Sequence, residues 1–265
     1  MKTIQGIVVN TRIPRIPGLM LGALLVAGLV AGSPSAQAFL ITNGDFETGD
    51  TTGWTIPSGH NPGSVVSGAS ALDGSYSFGH LATGSILAQQ PAGGPLTDPG
   101  TSVSLIFSMP DPGTVGARGL NMTLYNGGSD NSQVNLRVNE DGVEDGLGDV
   151  QVYDVGIFNW QTILQDVVTF GATHALTVTF NGFGAGLDYD VSVDGNTASG
   201  LNYFQSLGGN VELNALAELR FTGAGGANNG PYTIDNVVVI PEPSSLALLL
   251  MAAGGLVWGR ARRRA

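Results

Sequence analysis

No cysteine occurs anywhere in the 265 residues, so disulfide staples are excluded and stability must come from buried core. Lysine is almost as scarce. Between Phe39 and Ile240 the only basic residues are Arg118, Arg137 and Arg220, set against 20 acids for a net charge of −17. Such a charge excludes nucleic acid, whose phosphates demand cationic partners, and it excludes adhesion to anionic head groups. It favours solubility and attraction to divalent cations. Long apolar runs are missing too. The two longest, Leu19–Val30 and Leu246–Trp258, fall short of the ~20 residues of a comfortable membrane span. Neither G-x-S-x-G nor H-E-x-x-H is present, and His60, His80 and His174 stand far apart in sequence. No segment of the body shows a long helical period with caps, although 213–219 (LNALAEL) is expected to form a turn or two of helix.

Glycine, by contrast, is abundant, with 41 residues. Turn pairs recur at Asn43-Gly44, Asp73-Gly74, Asn126-Gly127, Asp141-Gly142, Asp145-Gly146 and Asp194-Gly195. Short alternating runs lie between them: Val103–Met109, Leu120–Tyr125, Val134–Val138, Ala175–Phe180, Tyr189–Val193, Leu216–Phe221 and Thr233–Ile240. Period-two alternation bounded by Gly, Asn and Asp predicts half-buried antiparallel strands. The pattern implies an all-β antiparallel β-sandwich filling one domain over residues 39–240. Residues 84–100 and 223–230 read as loops.

The two ends have a different character. Lys2, Arg12 and Arg15 precede the apolar run, and Ser35-Ala36-Gln37-Ala38 supplies an A-x-A pattern. This is the order of a secretory signal peptide over residues 1–38, with Ala36 and Ala38 marking cleavage by signal peptidase. At the other end, Pro241, Glu242, Pro243 and Ser244 precede the second apolar run, and Arg260, Arg262, Arg263 and Arg264 follow it. Arginines beside a short transmembrane helix stay on the cytoplasmic side, which puts the body outside that membrane. Prolines keep the backbone extended and remove amide donors.

Together these ends resemble the PEP-CTERM sorting signal, here over residues 241–265. The resemblance implies a Gram-negative exported protein, held transiently in the inner membrane and then processed by an exosortase-type membrane protease. The body is then expected at the cell surface or in the extracellular matrix, with extracellular polysaccharide as its partner.

The body carries two further resemblances. Asn43-Gly44-Asp45-Phe46-Glu47 with Gly53-Trp54, and Ile234-Asp235-Asn236-Val237 near the end, resemble the opening and closing strands of jelly-roll carbohydrate-binding modules. The galactose-binding-like fold is one form of these. The resemblance implies a structural calcium ion held by Glu47, Asp235 and the backbone near Asn43, in keeping with the oxygen ligands calcium takes. Trp160, His174-Ala175-Leu176 and Val193-Asp194-Gly195 resemble concanavalin A-like and laminin-G-like sandwiches. Both families imply carbohydrate binding. Sugars are bound by exposed aromatics, for which Trp54, Tyr125, Tyr153, Trp160, Tyr203 and Tyr232 are available, with Trp54 and Trp160 as the candidates singled out.

The expectation is a protein that is not an enzyme. The alternative is a glycoside hydrolase or lyase of concanavalin A-like fold, which needs two carboxylates across the scissile bond. Asp188, Asp190 and Asp194 are its candidates, since alternation puts them on one face of a strand. A solvated strand face running into a turn is the simpler reading of these three. The run Asn139–Asp149 (NEDGVEDGLGD) departs from EF-hand spacing and reads as a solvated acidic loop.

Overall fold

The computed structural model describes residues 41–56, 63–80, 86–92, 94–111, 118–126, 133–140, 146–154, 159–184, 186–203, 214–223 and 230–241. All lie within one compact unit, Ala38–Glu242. The signal residues Ala36 and Ala38, the motif residues Glu242, Pro243 and Ser244, and Arg260, Arg262, Arg263 and Arg264 lie outside the described residues, as does the C-terminal apolar run. Pro241 is described and directly follows the last strand.

The strands are β1 (Ser64–Ser67), β2 (Tyr76–His80), β3 (Ile86–Gln89), β4 (Ser102–Ser108), β5 (Arg118–Tyr125), β6 (Gln133–Asn139), β7 (Leu147–Asp154), β8 (Asn159–Thr169), β9 (Thr173–Phe180), β10 (Asp188–Val193), β11 (Asn196–Asn202), β12 (Glu218–Thr222) and β13 (Tyr232–Ile240). A seven-stranded sheet runs β1-β2-β13-β4-β9-β10-β11, and a six-stranded sheet runs β3-β12-β5-β6-β7-β8. Every pairing between them is antiparallel. The thirteen strands among the described residues exceed the eight of a simple jelly roll.

Alternation builds the core. In β4, Val103, Leu105 and Phe107 are buried while Ser102, Ser104 and Ile106 are half-buried. Leu176, Val178 and Phe180 of β9 and Tyr189, Val191 and Val193 of β10 continue that inner face. From the other sheet come Leu120, Met122 and Leu124, then Val134, Leu136 and Val138, then Val150 and Val152, all in the same hydrophobic cluster. Two inner faces sharing one apolar core make the sheets a sandwich.

All seven strands expected from alternation are present, shifted by a residue or two. The segment 213–219 is not helical where it is described: Leu216 makes a bridge to Leu96, and Glu218 opens β12. Residues 84–100 hold β3, so that loop reading is corrected in part. The acidic run is corrected at both described ends. Asn139, Glu140 and Asp149 are buried, Asn139 and Asp149 as directly opposed partners of β6 and β7.

The segment 41–56 folds by turns over one end of the sandwich. Asn43 and Phe46 take φ of 53° each, unusual for a bulky ring such as Phe46. The Phe46 ring is fully buried between Trp54 and Phe78, which offsets the backbone cost. Gly44 lies against β13, where its carbonyl accepts from the Val237 amide over 2.8 Å. A Cβ on Gly44 would come within 2.0 Å of the Val237 carbonyl oxygen, a backbone atom that has no room to yield. Gly44→Ala is therefore expected to cost about 2–3 kcal/mol in urea unfolding, and a loss under half of that would show the segment to be loosely docked.

Candidate functional site

The outer face of the six-stranded sheet gathers side chains that the sequence leaves scattered. Residues opposite one another in register share a face, so Asn121, Arg137, Gln151 and Thr162 form one row across β5, β6, β7 and β8. Tyr153 and Trp160 form the next pair, their rings 5.3 Å apart and edge-on. The Arg137 guanidinium lies 4.0 Å from the centre of the Trp160 ring. Its Nε and Nη2 both donate to Gln151 Oε1, at 2.9 and 2.7 Å. Toward the other end of the face, the Arg220 guanidinium stacks 4.2 Å from the Tyr125 ring and pairs with Glu218.

Two of the three body arginines thus sit on aromatic rings of this single face. An arginine over an indole is held by the ring quadrupole, and here it fixes the half-buried Trp160 in place. Of the six aromatics named as sugar platforms, Tyr125, Tyr153 and Trp160 are half-buried on this face. Tyr203 and Tyr232 are buried, with hydroxyls donating to the carbonyls of Gly182 and Thr222.

Trp54 is a correction. It is 8% exposed, its Nε1 donates to the Asn43 carbonyl over 3.0 Å, and its ring packs on Phe46 and Phe221. A ring so enclosed is core and offers no face to a sugar.

The three residues expected to hold calcium do approach one corner, since Gly44 and Val237 join their segments. Their oxygens serve protein donors. Glu47 Oε1 accepts from the amides of Ser75 and Tyr76 at 2.7 and 3.0 Å. Asp235 Oδ2 accepts from the Ser77 hydroxyl at 2.6 Å and the Asp73 amide at 3.3 Å, and its Oδ1 from the Asn236 amide. The Asn43 carbonyl takes the Trp54 N–H. Among the described residues no group of three or more His, Cys, Asp or Glu is arranged to hold a metal. The set present does not supply the six to eight oxygens that calcium takes. What the two carboxylates do instead is clamp the turn before β2 from both sides. Burial pushes the Asp235 carboxyl above its ordinary 3.8, helped by the nearby Asp73 and opposed by the bonds to Ser77, Asn236 and Asp73. A raised folded value means that Asp235 contributes most when protonated and loses that contribution as pH rises through the raised value.

The acids proposed for catalysis are divided. Asp188 and Asp190 stand on the outer face of β10, and the Asn181 amide nitrogen donates to both, at 2.7 and 3.1 Å. Asp194 sits in the β10–β11 hairpin turn, where it and Gly195 have φ of 49° and 85°, the paired left-handed geometry of a two-residue turn. Its Oδ2 lies 2.6 Å from His174 Nδ1, and its Oδ1 accepts from the Ala175 amide at 2.8 Å. Burial tends to raise its carboxyl, but the Ala175 amide and then His174 outweigh that and hold it below its ordinary value.

Sequence reasoning named Trp160 and Tyr153 but missed Arg137, Gln151 and Thr162 as their neighbours. The alternation in Val134–Val138 does place Arg137 facing outward, and Val150 and Val152 offered a comparable signal for β7. No such signal marks β8, whose burial follows no clean period.

The fold and this face define an antiparallel β-sandwich with an aromatic, arginine-backed outer sheet. No family model matches the sequence, and no curated protein matches it. Among solved structures, the chain is similar to a carbohydrate esterase of the Shiga toxin-encoding bacteriophage phi24B. That pair shares 18% identity with a TM-score of 0.54, over 74% of this chain and 94% of the other. It is also similar to the botulinum neurotoxin serotype D binding domain, at 10% identity and TM-score 0.43 over 71% of this chain and 42% of that one. Carbohydrate-binding module CBM66 from Bacillus subtilis gives 12% identity and TM-score 0.40, over 71% of this chain and 96% of that one. At 18% identity the esterase likeness speaks for the fold alone.

Proposed function

We propose that this chain is an exported surface or matrix protein whose β-sandwich binds extracellular polysaccharide without catalysis. The observation that carries the binding is the Trp160 ring, half-buried beside Tyr153 and held from one side by Arg137. A fixed aromatic face bordered by amides and hydroxyls suits a pyranose, whose C–H face packs on the ring while its hydroxyls find polar partners. Among sandwich families, thirteen strands among the described residues, more than the eight of a jelly roll, favour the concanavalin A/laminin-G-like form. Pairing of Asp188 and Asp190 through Asn181 favours a structural use for both over an acid–base use.

The ends supply the route. The PEP-CTERM-like tail and the signal-like opening favour export by signal peptidase and processing by an exosortase-type protease, leaving the body outside a Gram-negative cell. The intact mass of the native protein, taken separately from membrane and extracellular fractions, tests this. A start at Phe39 and an end near Pro241–Ser244 supports it, and retention of Leu246–Ala265 in the membrane fraction would sink it.

For binding, affinity electrophoresis against neutral and acidic extracellular polysaccharides is the direct measurement. Trp160→Ala is expected to weaken the interaction about ten-fold or more, a loss of about 1.4 kcal/mol. Wild-type binding no better than a denatured control for every polysaccharide would reject the reading.

A further inference from the structure

Four side chains beside Trp160 form a chain of contacts that a sugar platform does not require. Gln151 on β7 and Thr162 on β8 are directly opposed partners. An arginine only donates, so the two bonds from Arg137 Nε and Nη2, at 2.9 and 2.7 Å, turn Gln151 Oε1 toward the guanidinium. The amide nitrogen therefore faces Thr162, with Nε2 donating to Oγ1 over 3.1 Å. Thr162 Oγ1 in turn donates to Asp149 Oδ2 over 3.1 Å. Asp149 is 4% exposed, and its other oxygen is held by the Asp166 amide at 3.0 Å.

These are the parts of an acyl-transfer centre: a hydroxyl nucleophile, a carboxylate to take its proton, a carbonyl carbon beside it, and a cation on the oxygen where charge develops. We propose that Thr162 and Gln151 join spontaneously in an intramolecular ester bond. Thr162 Oγ1 attacks Gln151 Cδ while its proton passes to Asp149 Oδ2. The charge that builds on Oε1 is met by Arg137. As the carbonyl re-forms, the Cδ–Nε2 bond breaks, the nitrogen takes the proton back from Asp149 and leaves as ammonia. Asp149 gives back the proton it takes, and neither oxidant nor cofactor is consumed.

The place and composition fit such a link. Directly opposed residues of antiparallel strands have Cα atoms about 4.5–5.5 Å apart, within reach of a Thr–Gln bridge. β8 is the edge of its sheet, so β7 is its one partner there. The body has neither cysteine for a disulfide nor lysine for a side-chain amide. An ester is the covalent staple its remaining residue types allow.

The intact mass of the full chain, produced in an exporting host and measured under denaturing conditions, tests the proposal. The wild type is expected to be lighter than the sequence between its observed ends by one ammonia, about 17 Da. Thr162 is exposed, so Thr162→Val removes the nucleophile with little strain and is expected to show full mass. Asp149→Asn is expected to form the link more slowly. Cyclisation at Asn43-Gly44 loses the same mass, so tandem mass spectrometry must find a peptide pair joined through Gln151 and Thr162. A wild type at full mass, or a deficit that Thr162→Val leaves undiminished, would overturn the ester. An Asp149→Asn protein that links at the wild-type rate would overturn Asp149 as its base.

Discussion

Replacing His174 with alanine is expected to lower the free energy of unfolding by about 3 kcal/mol, among the larger losses available to a single substitution here. His174 is 5% exposed and both of its ring nitrogens face acceptors: Asp194 Oδ2 at 2.6 Å and the Thr169 carbonyl at 2.9 Å. A bond to a charged group such as the Asp194 carboxylate contributes about 1.5–3 kcal/mol and one to a neutral carbonyl about 0.5–1.5, and the partial exposure of Asp194 holds the first toward its lower end. The position explains why the loss is global. Thr169 closes β8 in one sheet, His174 is the second residue of β9 in the other, and Asp194 turns β10 into β11. One ring therefore ties the crossover between sheets to the hairpin. Asp194→Asn keeps an oxygen for the Ala175 amide and removes the charge, so it is expected to cost less, about 1–2 kcal/mol. Because the Asp194 carboxyl is held below its ordinary 3.8, its contribution is fully present above that value and is lost as pH falls through the lower folded one. Urea unfolding of both variants at neutral pH checks this, and losses under about 0.5 kcal/mol for both would remove the staple from the account.

The seven strands that the sequence makes legible share one property: a buried face read directly as alternating apolar residues. β4 and β9 are the clearest, with VSLIFS and ALTVTF alternating against each other in register. Three of the other strands lack it, each for its own reason. In β2, His80 and Ser77 are buried polar positions that break the pattern. β11 is an edge with five of its seven residues exposed. β8 carries bulges opposite β7, and Asp166 takes a φ of 55°, so its faces exchange partway along. The candidate face was illegible for the same cause. Its row of Arg137, Gln151 and Thr162 depends on pairing β6 to β7 to β8, and two of those three strands were not read. The N-terminal corner was legible as a meeting of two segments, but not in its chemistry. Whether Glu47 and Asp235 face an ion or backbone amides depends on the turn before β2, which lies far from either in sequence.

Trp54 and Trp160 are expected to part company when each is truncated. Trp54→Ala should cost about 3–5 kcal/mol, the range for removing a large buried aromatic whose cavity the surroundings fill only in part. The neighbours leave little room to collapse. Phe46 stacks on the indole at 5.6 Å, Phe78 follows at 5.5 Å from Phe46, and Phe221 of the other sheet lies 6.0 Å from the indole. This run of rings joins the turn-rich segment 41–56 to both sheets, so its loss frees the segment as well as opening a void. Trp54→Phe separates the two contributions. It keeps a ring in the stack but removes the donor to the Asn43 carbonyl, for an expected cost of about 1–2 kcal/mol. Trp160→Ala removes a half-buried ring from an outer face and should cost no more than about 1.5 kcal/mol, mostly its contacts with Arg137 and Tyr153. Polysaccharide affinity should move the opposite way, falling with Trp160→Ala and holding with Trp54→Phe at temperatures where both remain folded. A Trp54→Phe protein that stays folded but loses binding would show that the end of the sandwich, and not the face of its six-stranded sheet, meets the sugar.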